Sequence, residues 1–328
     1  MSSIPKGTVV WTRDGLLPIE NVTEGQQFQT WATQCSAAAN IHHTSVTDMQ
    51  SVTLDVYGCS TVTLPVSGAV WARKREDTHW AWLALDKVRM EDALWVPRIP
   101  EGSLSHIQGV LLSAELANVI GWYMSAGHIA TDIVYFHLNA IEEEVVSTLV
   151  KDLRELQGQF VTPGYETRMS TPRIVPRGRH QQVSYANTKL ATLLSEFGRS
   201  IRQRRMPMWL LDAPNAFVEQ VLFAYLQGEG YYMSGWKVTA TTAELARGLV
   251  LLLNKLGKCS SPMVRRGTRI DEWVIQFGWL RRRLQHHIAT FTDHYECKVD
   301  SATNVRTSGD AYRVSVEAIC VPYIVKVV

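Results

Sequence analysis

The sequence predicts an α+β protein in which a domain of short β-strands is joined to a helix-rich region made of two similar halves. Three observations carry that prediction. Residues 1 to about 100 are a succession of short β-branched and aromatic runs punctuated by Gly and Pro, the pattern of a compact β fold. Two apolar runs, Val119-Ile120-Gly121-Trp122-Tyr123-Met124-Ser125-Ala126-Gly127 and Leu222-Phe223-Ala224-Tyr225-Leu226-Gln227-Gly228-Glu229-Gly230, lie about one hundred residues apart. Each has a small residue in third place and ends on a glycine, and each is followed by a strand-like segment and then an amphipathic helix.

Taken in order, Thr8 to Thr12 reads as a strand, Arg13-Asp14-Gly15 as a hairpin turn with the Asp-Gly signal, and Leu16 to Val22 as the returning strand before a turn at Glu24-Gly25. Further strands are expected at 51–57, 60–64, 69–73, 80–85 and 93–97, with Trp11, Trp71, Trp80, Trp82 and Trp95 mostly in the core. The insert spans 101–295. Its first half, 101–206, begins with a helix from Ala114 to Ser125 and a strand from Ile133 to Leu138. Val145, Val146, Leu149, Leu153 and Leu156 then recur at the spacing of one helix face. Tyr165 to Tyr185 reads as two strands joined by a basic, proline-containing loop, and 187–197 as a short helix. The second half, 207–295, repeats the order: helix 215–227, strand 236–241, helix 243–256, strands 263–266 and 273–277. His286 and His287 fall on a late helix.

Bulk properties narrow the function classes. The chain has 328 residues, 46% hydrophobic and 20% charged, enough for two domains. It shows no apolar run long enough to cross a membrane and no signal peptide, so an intracellular location is expected. Cys35, Cys59, Cys259, Cys297 and Cys320 form no C-x-x-C pair, which argues against structural zinc and a disulfide framework. No metal-ligand spacing links His128 to His286 and His287, which read as surface or core residues.

The net charge of +2 is unevenly spread. Between Tyr165 and Met206 stand Arg168, Arg173, Arg177, Arg179, Lys189, Arg199, Arg202, Arg204 and Arg205, against Glu166 and Glu196. Between Lys255 and Arg283 stand Lys255, Lys258, Arg265, Arg266, Arg269, Arg281, Arg282 and Arg283, against Asp271 and Glu272. Any one arginine reads as a solvated surface residue. As clustered sets on strands and loops they favour duplex DNA, with phosphate contacts positioning it and arginine reading guanine.

A single apolar run ending in Gly is most simply a core helix with a glycine C-cap. Two copies with matching downstream patterns point elsewhere: helices with small residues on one face can pack backbone to backbone. The nine letters resemble, without a gap, the motif of the LAGLIDADG homing endonucleases. Gly121 and Ala224 fall on the family's first glycine and Gly127 and Gly230 on its last. Ala126 and Glu229 fall on the catalytic acid, and alanine is a departure. The resemblance implies a pseudo-two-fold αββαββα domain acting as a monomer. It would bind a long asymmetric duplex site on two saddle-like sheets and hydrolyse phosphodiesters in both strands with Mg²⁺ or another divalent cation. It places that ion at Glu229, with Gly127 and Gly230 beside it, where a hard cation keeps several waters. Lys255, Lys258 and Arg265 are candidates to assist at the scissile phosphates. Arg168, Arg173, Arg177, Arg179, Lys189, Arg202, Arg204, Arg205, Lys237, Arg265, Arg266, Arg269, Arg281 and Arg282 are candidates to bind DNA. With Ala126 in place of an acid, cleavage is expected to be impaired. The alternative is a catalytically dead sequence-specific DNA-binding protein or transcription regulator of the same fold.

The flanking segments resemble an intein, the Hint-type splicing fold. Ser3-Ile4-Pro5-Lys6-Gly7-Thr8, then Asp14-Gly15, Pro18-Ile19, Val22 and Glu24-Gly25, are similar to its start, with Ser3 at the splicing nucleophile. Tyr312 to Glu317 and Pro322 to Val328 resemble its last strands. Residues 1–100 and 296–328 are therefore expected to form one β domain around the insert. The family's Thr-x-x-His block should lie near Thr63 to Trp71, where Gly68 precedes Val70 and no histidine occurs. The closing His-Asn is not in the chain either, so splicing is not expected.

Overall fold

The structure is a computed structural model that describes residues 3–12, 15–29, 35–37, 41–57, 59, 61–139, 143–160, 171–232, 236–258, 260–265, 272–277, 288–290, 294–314, 318–320 and 324–326. The chain divides into two compact units. The first comprises 1–99, 259–261 and 278–328, the second 100–258 and 262–277.

The first unit is all-β among the described residues, apart from two short 3-10 turns. Its axis is a pair of long antiparallel strands, Ile41–Val56 and His294–Val314, with register shifts between Val299 and Ser301 and between Thr307 and Gly309. Ser3–Pro5 adds to one end of that pair, Ser3 opposite Arg313, and Ala93–Pro97 to the other, Leu94 opposite Cys297. The Asp-Gly hairpin forms as the sequence suggests: Val9–Thr12 pairs with Gly15–Pro18, and Thr12 Oγ1 donates to the Gly15 carbonyl at 3.0 Å. Gly15 has φ 113°, a backbone state that favours glycine. Ile4, Val10, Phe28, Leu54, Val70, Leu94, Tyr295, Cys297 and Val299 close the core. That packing fixes the boundary of the second unit. The insert ends at Phe277 rather than at 295, because the start of the strand His294–Val314 pairs with Ala93–Pro97 and buries Tyr295 and Cys297 in the first unit.

Strand 51–57 is the inner end of a much longer strand, whose outer part lacks an apolar alternation and is mostly exposed. Trp11 is buried, but Trp71, Trp80, Trp82 and Trp95 are half-buried, packed edge to face as the pairs Trp71–Trp82 and Trp80–Trp95. Their indoles cover the outside of the sheet rather than filling its core.

The second unit repeats helix, hairpin, helix, strand pair. In the first half α1 (Ala114–Ala126) runs into β1 (Gly127–Ala130) and β2 (Ile133–Asn139), then α2 (Glu143–Glu155), β3 (Arg173–Arg177), β4 (His180–Ala186) and α3 (Thr188–Ser195). The second half has α4 (Asn215–Glu229), β5 (Gly230–Tyr232), β6 (Trp236–Ala240), α5 (Ala243–Lys255), β7 (Ser261–Arg265) and β8 (Glu272–Phe277). Each half makes one four-stranded antiparallel sheet, in the orders β1-β2-β4-β3 and β5-β6-β8-β7. Helices begin where side chains satisfy the first N–H groups. Ser113, Asn187 and Thr242 accept from Leu116, Leu190 and Leu245, the N-cap arrangement. The two short strands after α1 and α4 are additions to the sequence reading. The proline expected in a loop, Pro176, lies on edge strand β3, where the missing N–H costs no ladder bond. The late helix with His286 and His287 lies outside the described residues. No described helix is long and apolar enough to span a membrane.

Candidate nucleic-acid interface and helix-end site

Helices α1 and α4 pack against each other along their small residues. A Cβ built on Gly121 would stand 2.6 Å from the Ala224 Cβ and 2.9 Å from the Tyr225 nitrogen, and would also strike the Val221 carbonyl oxygen. One turn on, Ser125 and Trp122 close over Gly228, the Trp122 ring reaching within 3.3 Å of a Cβ there. These contacts bring the last turns of the two helices together, with Ala126 and Glu229 each one residue beyond the Ser125–Gly228 contact.

Both ends turn directly into a hairpin. The N–H of Gly127 donates to the Tyr123 carbonyl and that of Gly230 to Leu226, at φ −95° and −92°. These are extended conformations, so neither glycine is the left-handed cap expected of an ordinary helix end. Glycine is required by room: a Cβ on Gly127 would lie 2.8 Å from the Tyr123 backbone, and one on Gly230 3.0 Å from the Leu226 side chain.

The two ends differ in chemistry. Glu229 is half-buried and its Oε2 accepts from Thr239 Oγ1 at 2.8 Å. Burial pushes its carboxyl above the usual range, Thr239 opposes that, and the charges of Glu272 and Arg204 pull in opposite directions. At the other end the Ala126 side chain has no polar atom to offer. Phe136 opposes Gly127 as Val238 opposes Gly230, so the next residue, His137, holds the position that Thr239 holds in the second half. The His137 ring stacks on His128 at 5.0 Å and His128 on Tyr135 at 4.9 Å. Burial lowers both imidazole pKa values, helped by the neighbouring charges of His137 and Arg204 on His128 and of His180 and Arg177 on His137.

Arg204 is a correction to the sequence reading. Grouped there with the DNA-binding arginines, it is 2% exposed. Its guanidinium donates to the carbonyls of Gly127 and, at 3.2 Å, Gly198, and lies 4.4 Å over the Tyr123 ring. The cation is held at the C-terminal end of α1, where the helix dipole favours positive charge. Lys255 is a second correction. Its side chain is buried and Nζ donates to the Pro100 carbonyl at 2.7 Å. It secures the segment before α1 and is no partner for a scissile phosphate. Lys258 follows the same helix end, half-buried, outside the group of Thr239, Glu272 and Arg204 that surrounds Glu229.

Six other basic candidates are exposed. Arg173 and Arg177 are exposed on β3, Arg179 on the turn that follows, and Lys189 at the start of α3. Arg202 and Arg205 are exposed on the connector between the halves, where Arg205 Nε donates to the Glu196 carbonyl at 2.8 Å. Lys237 is half-buried on β6, on the face opposite Val238. Arg265 lies on β7. Arg168, Arg266, Arg269, Arg281 and Arg282 lie outside the described residues.

The residues fit a hard divalent cation on one side only. Glu229 supplies one carboxylate. Ala126 supplies none, and the Gly127 carbonyl is engaged by Arg204. Among the described residues no three His, Cys, Asp or Glu side chains converge on a point. Thr239 escaped the sequence reading, although the residue just past the one opposing Gly230 in the hairpin is found by counting back from the turn.

No protein family profile and no curated protein matches the chain. Among solved structures, the homing endonuclease I-DmoI in complex with DNA and Mn superposes with a TM-score of 0.40 and 12% identity, over 51% of this chain and 90% of that one. I-DmoI in complex with DNA and Ca gives 0.35 and 12%, over 51% and 84%. The N-terminal LAGLIDADG domain of DUF199/WhiA gives 0.32 and 10%, over 52% and 80%.

Proposed function

We propose that the second unit is a monomeric, duplex-DNA-binding domain of the LAGLIDADG type whose cleavage centre is reduced to one acid. The observation that carries this is the pair of helices α1 and α4, packed at Gly121 and Ala224 and at Ser125 and Gly228, whose ends carry one alanine and one carboxylate and each lead into a four-stranded antiparallel sheet. Two pseudo-equivalent sheets with different side chains suit a long asymmetric site. Exposed Arg173, Arg177, Arg179, Arg202 and Arg205 supply the phosphate and base contacts. When bound, Mg²⁺ or another divalent cation would supply Lewis-acid stabilisation of the leaving oxygen. Glu229 would hold it, and Thr239 fixes that carboxylate. Ala126 supplies no carboxylate for a second ion, so double-strand cleavage is slow relative to binding. This favours the DNA-binding reading over an efficient nuclease.

For the first unit we propose a Hint-type domain that does not splice. The support is the Ser3–Pro5 strand paired with residues 311–313 of the late strand, and the lack of a histidine between Thr63 and Trp71.

The test uses the full chain on a randomised duplex pool, selected for binding in EDTA, followed by Mg²⁺ or Mn²⁺ on the selected site. Sequence-selective, salt-sensitive binding with little or no double-strand product is expected, since neutralised phosphates release counterions. Absence of selectable duplex binding would overturn the reading.

A further inference from the structure

The ribbon formed by β3 and β4 carries an outward row of side chains that the proposed function does not explain by charge alone. Val183 and Tyr185 of β4 point to the core, so Gln182 and Ser184, and with them His180, face outward. Register then fixes β3: Arg173 opposes Ser184, Val175 opposes Gln182 and Arg177 opposes His180, all on the outer face. Between the two arginines stands an apolar residue, Val175, left 39% exposed. Directly opposite it is an amide, Gln182, whose Oε1 accepts from Arg177 Nε at 3.4 Å. Ile174, on the other face of this edge strand, is 48% exposed as well, so what distinguishes Val175 is its place in the outward row between two arginines, where phosphate binding gives it no role.

Base-pair edges give it one. The major groove admits a two-stranded β-ribbon, and there arginine pairs with guanine, glutamine with adenine, and apolar groups with the thymine methyl. Val175 and Gln182 are cross-strand partners with Cβ atoms about 5 Å apart. They can therefore address the two bases of one A·T pair, methyl to valine and adenine to amide. Side chains two apart on a strand are separated by about 6.7 Å, close to two base steps of about 3.4 Å. Arg173, Val175 and Arg177 then fall on every second base of one DNA strand.

We propose that the β3–β4 ribbon reads the five-base element 5′-G-n-T-n-G-3′. Arg173 and Arg177 take the guanines, Val175 takes the thymine methyl, and Gln182 takes the adenine paired with it. The element is symmetric in its specified bases, so it does not depend on which way the ribbon runs along the groove. This rests on the duplex-binding reading and adds the sequence that one sheet selects.

The full chain, kept in EDTA so that bound duplex is not cut, is used to select from a randomised duplex pool. Recovered sites are expected to contain G, T and G at alternate positions. Against a duplex with that element, changing the central T·A to C·G is expected to weaken binding about tenfold to a hundredfold, the worth of one good readout pair. Val175→Ala and Gln182→Ala, both on an exposed face, are expected to erase most of that discrimination while leaving the salt dependence unchanged. Arg173→Gln is expected to relax selection at one outer guanine only. Selected sites without the alternate spacing, or variants that leave the T·A preference intact, would overturn the assignment while duplex binding stands. If no duplex is selected at all, this inference and the proposed function fall together.

Discussion

The C-terminal ends of α1 and α4 have nearly the same backbone and opposite chemistry. Each helix stops on a residue followed by a glycine at φ near −95°, and each glycine is demanded by its own helix's last turn. Past that point they diverge. Glu229 sits under Thr239, while Ala126 is followed by a glycine whose carbonyl is held by a buried guanidinium. A carboxylate at a helix C-terminus opposes the dipole, and a cation there complements it. The α1 end is therefore arranged for stability, whereas the α4 end carries an acid that the dipole disfavours, the feature on which the proposed cation site rests. Helix crossing and charge at the helix ends are separable requirements, and the chain keeps the first on both sides and the second on one.

The comparison is broken most strongly by giving the α1 end its acid. Ala126→Glu is expected to raise metal-dependent double-strand cleavage on the order of a thousandfold, since a correctly placed charge contributes several kcal/mol and each ~1.4 kcal/mol is tenfold. Linear product from a plasmid carrying the selected site measures it, and Glu229→Ala in the same chain should remove it again. An unchanged rate with binding intact would sink the alignment of Ala126 with a catalytic acid.

Next in size is the crossing itself. Gly121→Leu drives a side chain into the α4 backbone and is expected to cost about 3 kcal/mol or more, at the upper end of overpacking effects. Gly158→Ala, whose Cβ would meet nothing within 4 Å, is the neutral control in the same urea melts. Smaller again is Arg204→Met. It leaves the Gly127 carbonyl without its donor in a buried site, at about 1–3 kcal/mol, and leaves duplex affinity nearly unchanged because the guanidinium is not at the surface. A large loss of DNA affinity with little loss of stability would return Arg204 to the binding surface.

The sequence makes α2 and α5 legible by their apolar periodicity, and α1 and α4, which are apolar on most sides, by the glycines that stand at matching places in two similar runs. Strands β2, β6 and β8 are legible for the same reason in period two. What escapes is what depends on tertiary placement. Arg204 counts as one more positive charge in a basic segment, and nothing local says that its guanidinium lies over the Tyr123 ring and is spent on the carbonyls of Gly127 and Gly198. Lys255 has the spacing of a residue at a helix end and is claimed by Pro100, 155 positions away. Strand Gly127–Ala130 is too short for a periodic signal. The 101–295 boundary fails because a long strand half buried and half exposed has no single pattern. Glu229 was marked by the motif, whereas its partner Thr239 becomes visible only once the hairpin register is known.

The smallest effect sharpens the comparison from the other side. If the α4 end is arranged for a ligand, its carboxylate is a burden on the free protein. Burial raises the Glu229 pKa above that of an unfolded glutamate, and Thr239 and Arg204 do not fully offset it. A group whose folded pKa is raised binds its proton more tightly in the native state. Folding is therefore favoured by protonation, and that contribution is complete below the unfolded pKa of about 4.3. It is lost as the pH rises through the folded value, above which ionised Glu229 destabilises the fold by a constant amount. Glu229→Gln keeps the shape and removes the titration. The variant should melt higher than the parent at pH 7 to 8 without metal, and the gap should narrow as the pH falls through the titration of Glu229 toward pH 4. Saturating divalent cation should close the gap at neutral pH by stabilising only the parent. A parent more stable than Glu229→Gln at pH 8 in EDTA would mean that Thr239 and Arg204 outweigh burial, and that the α4 end, like the α1 end, is built for stability.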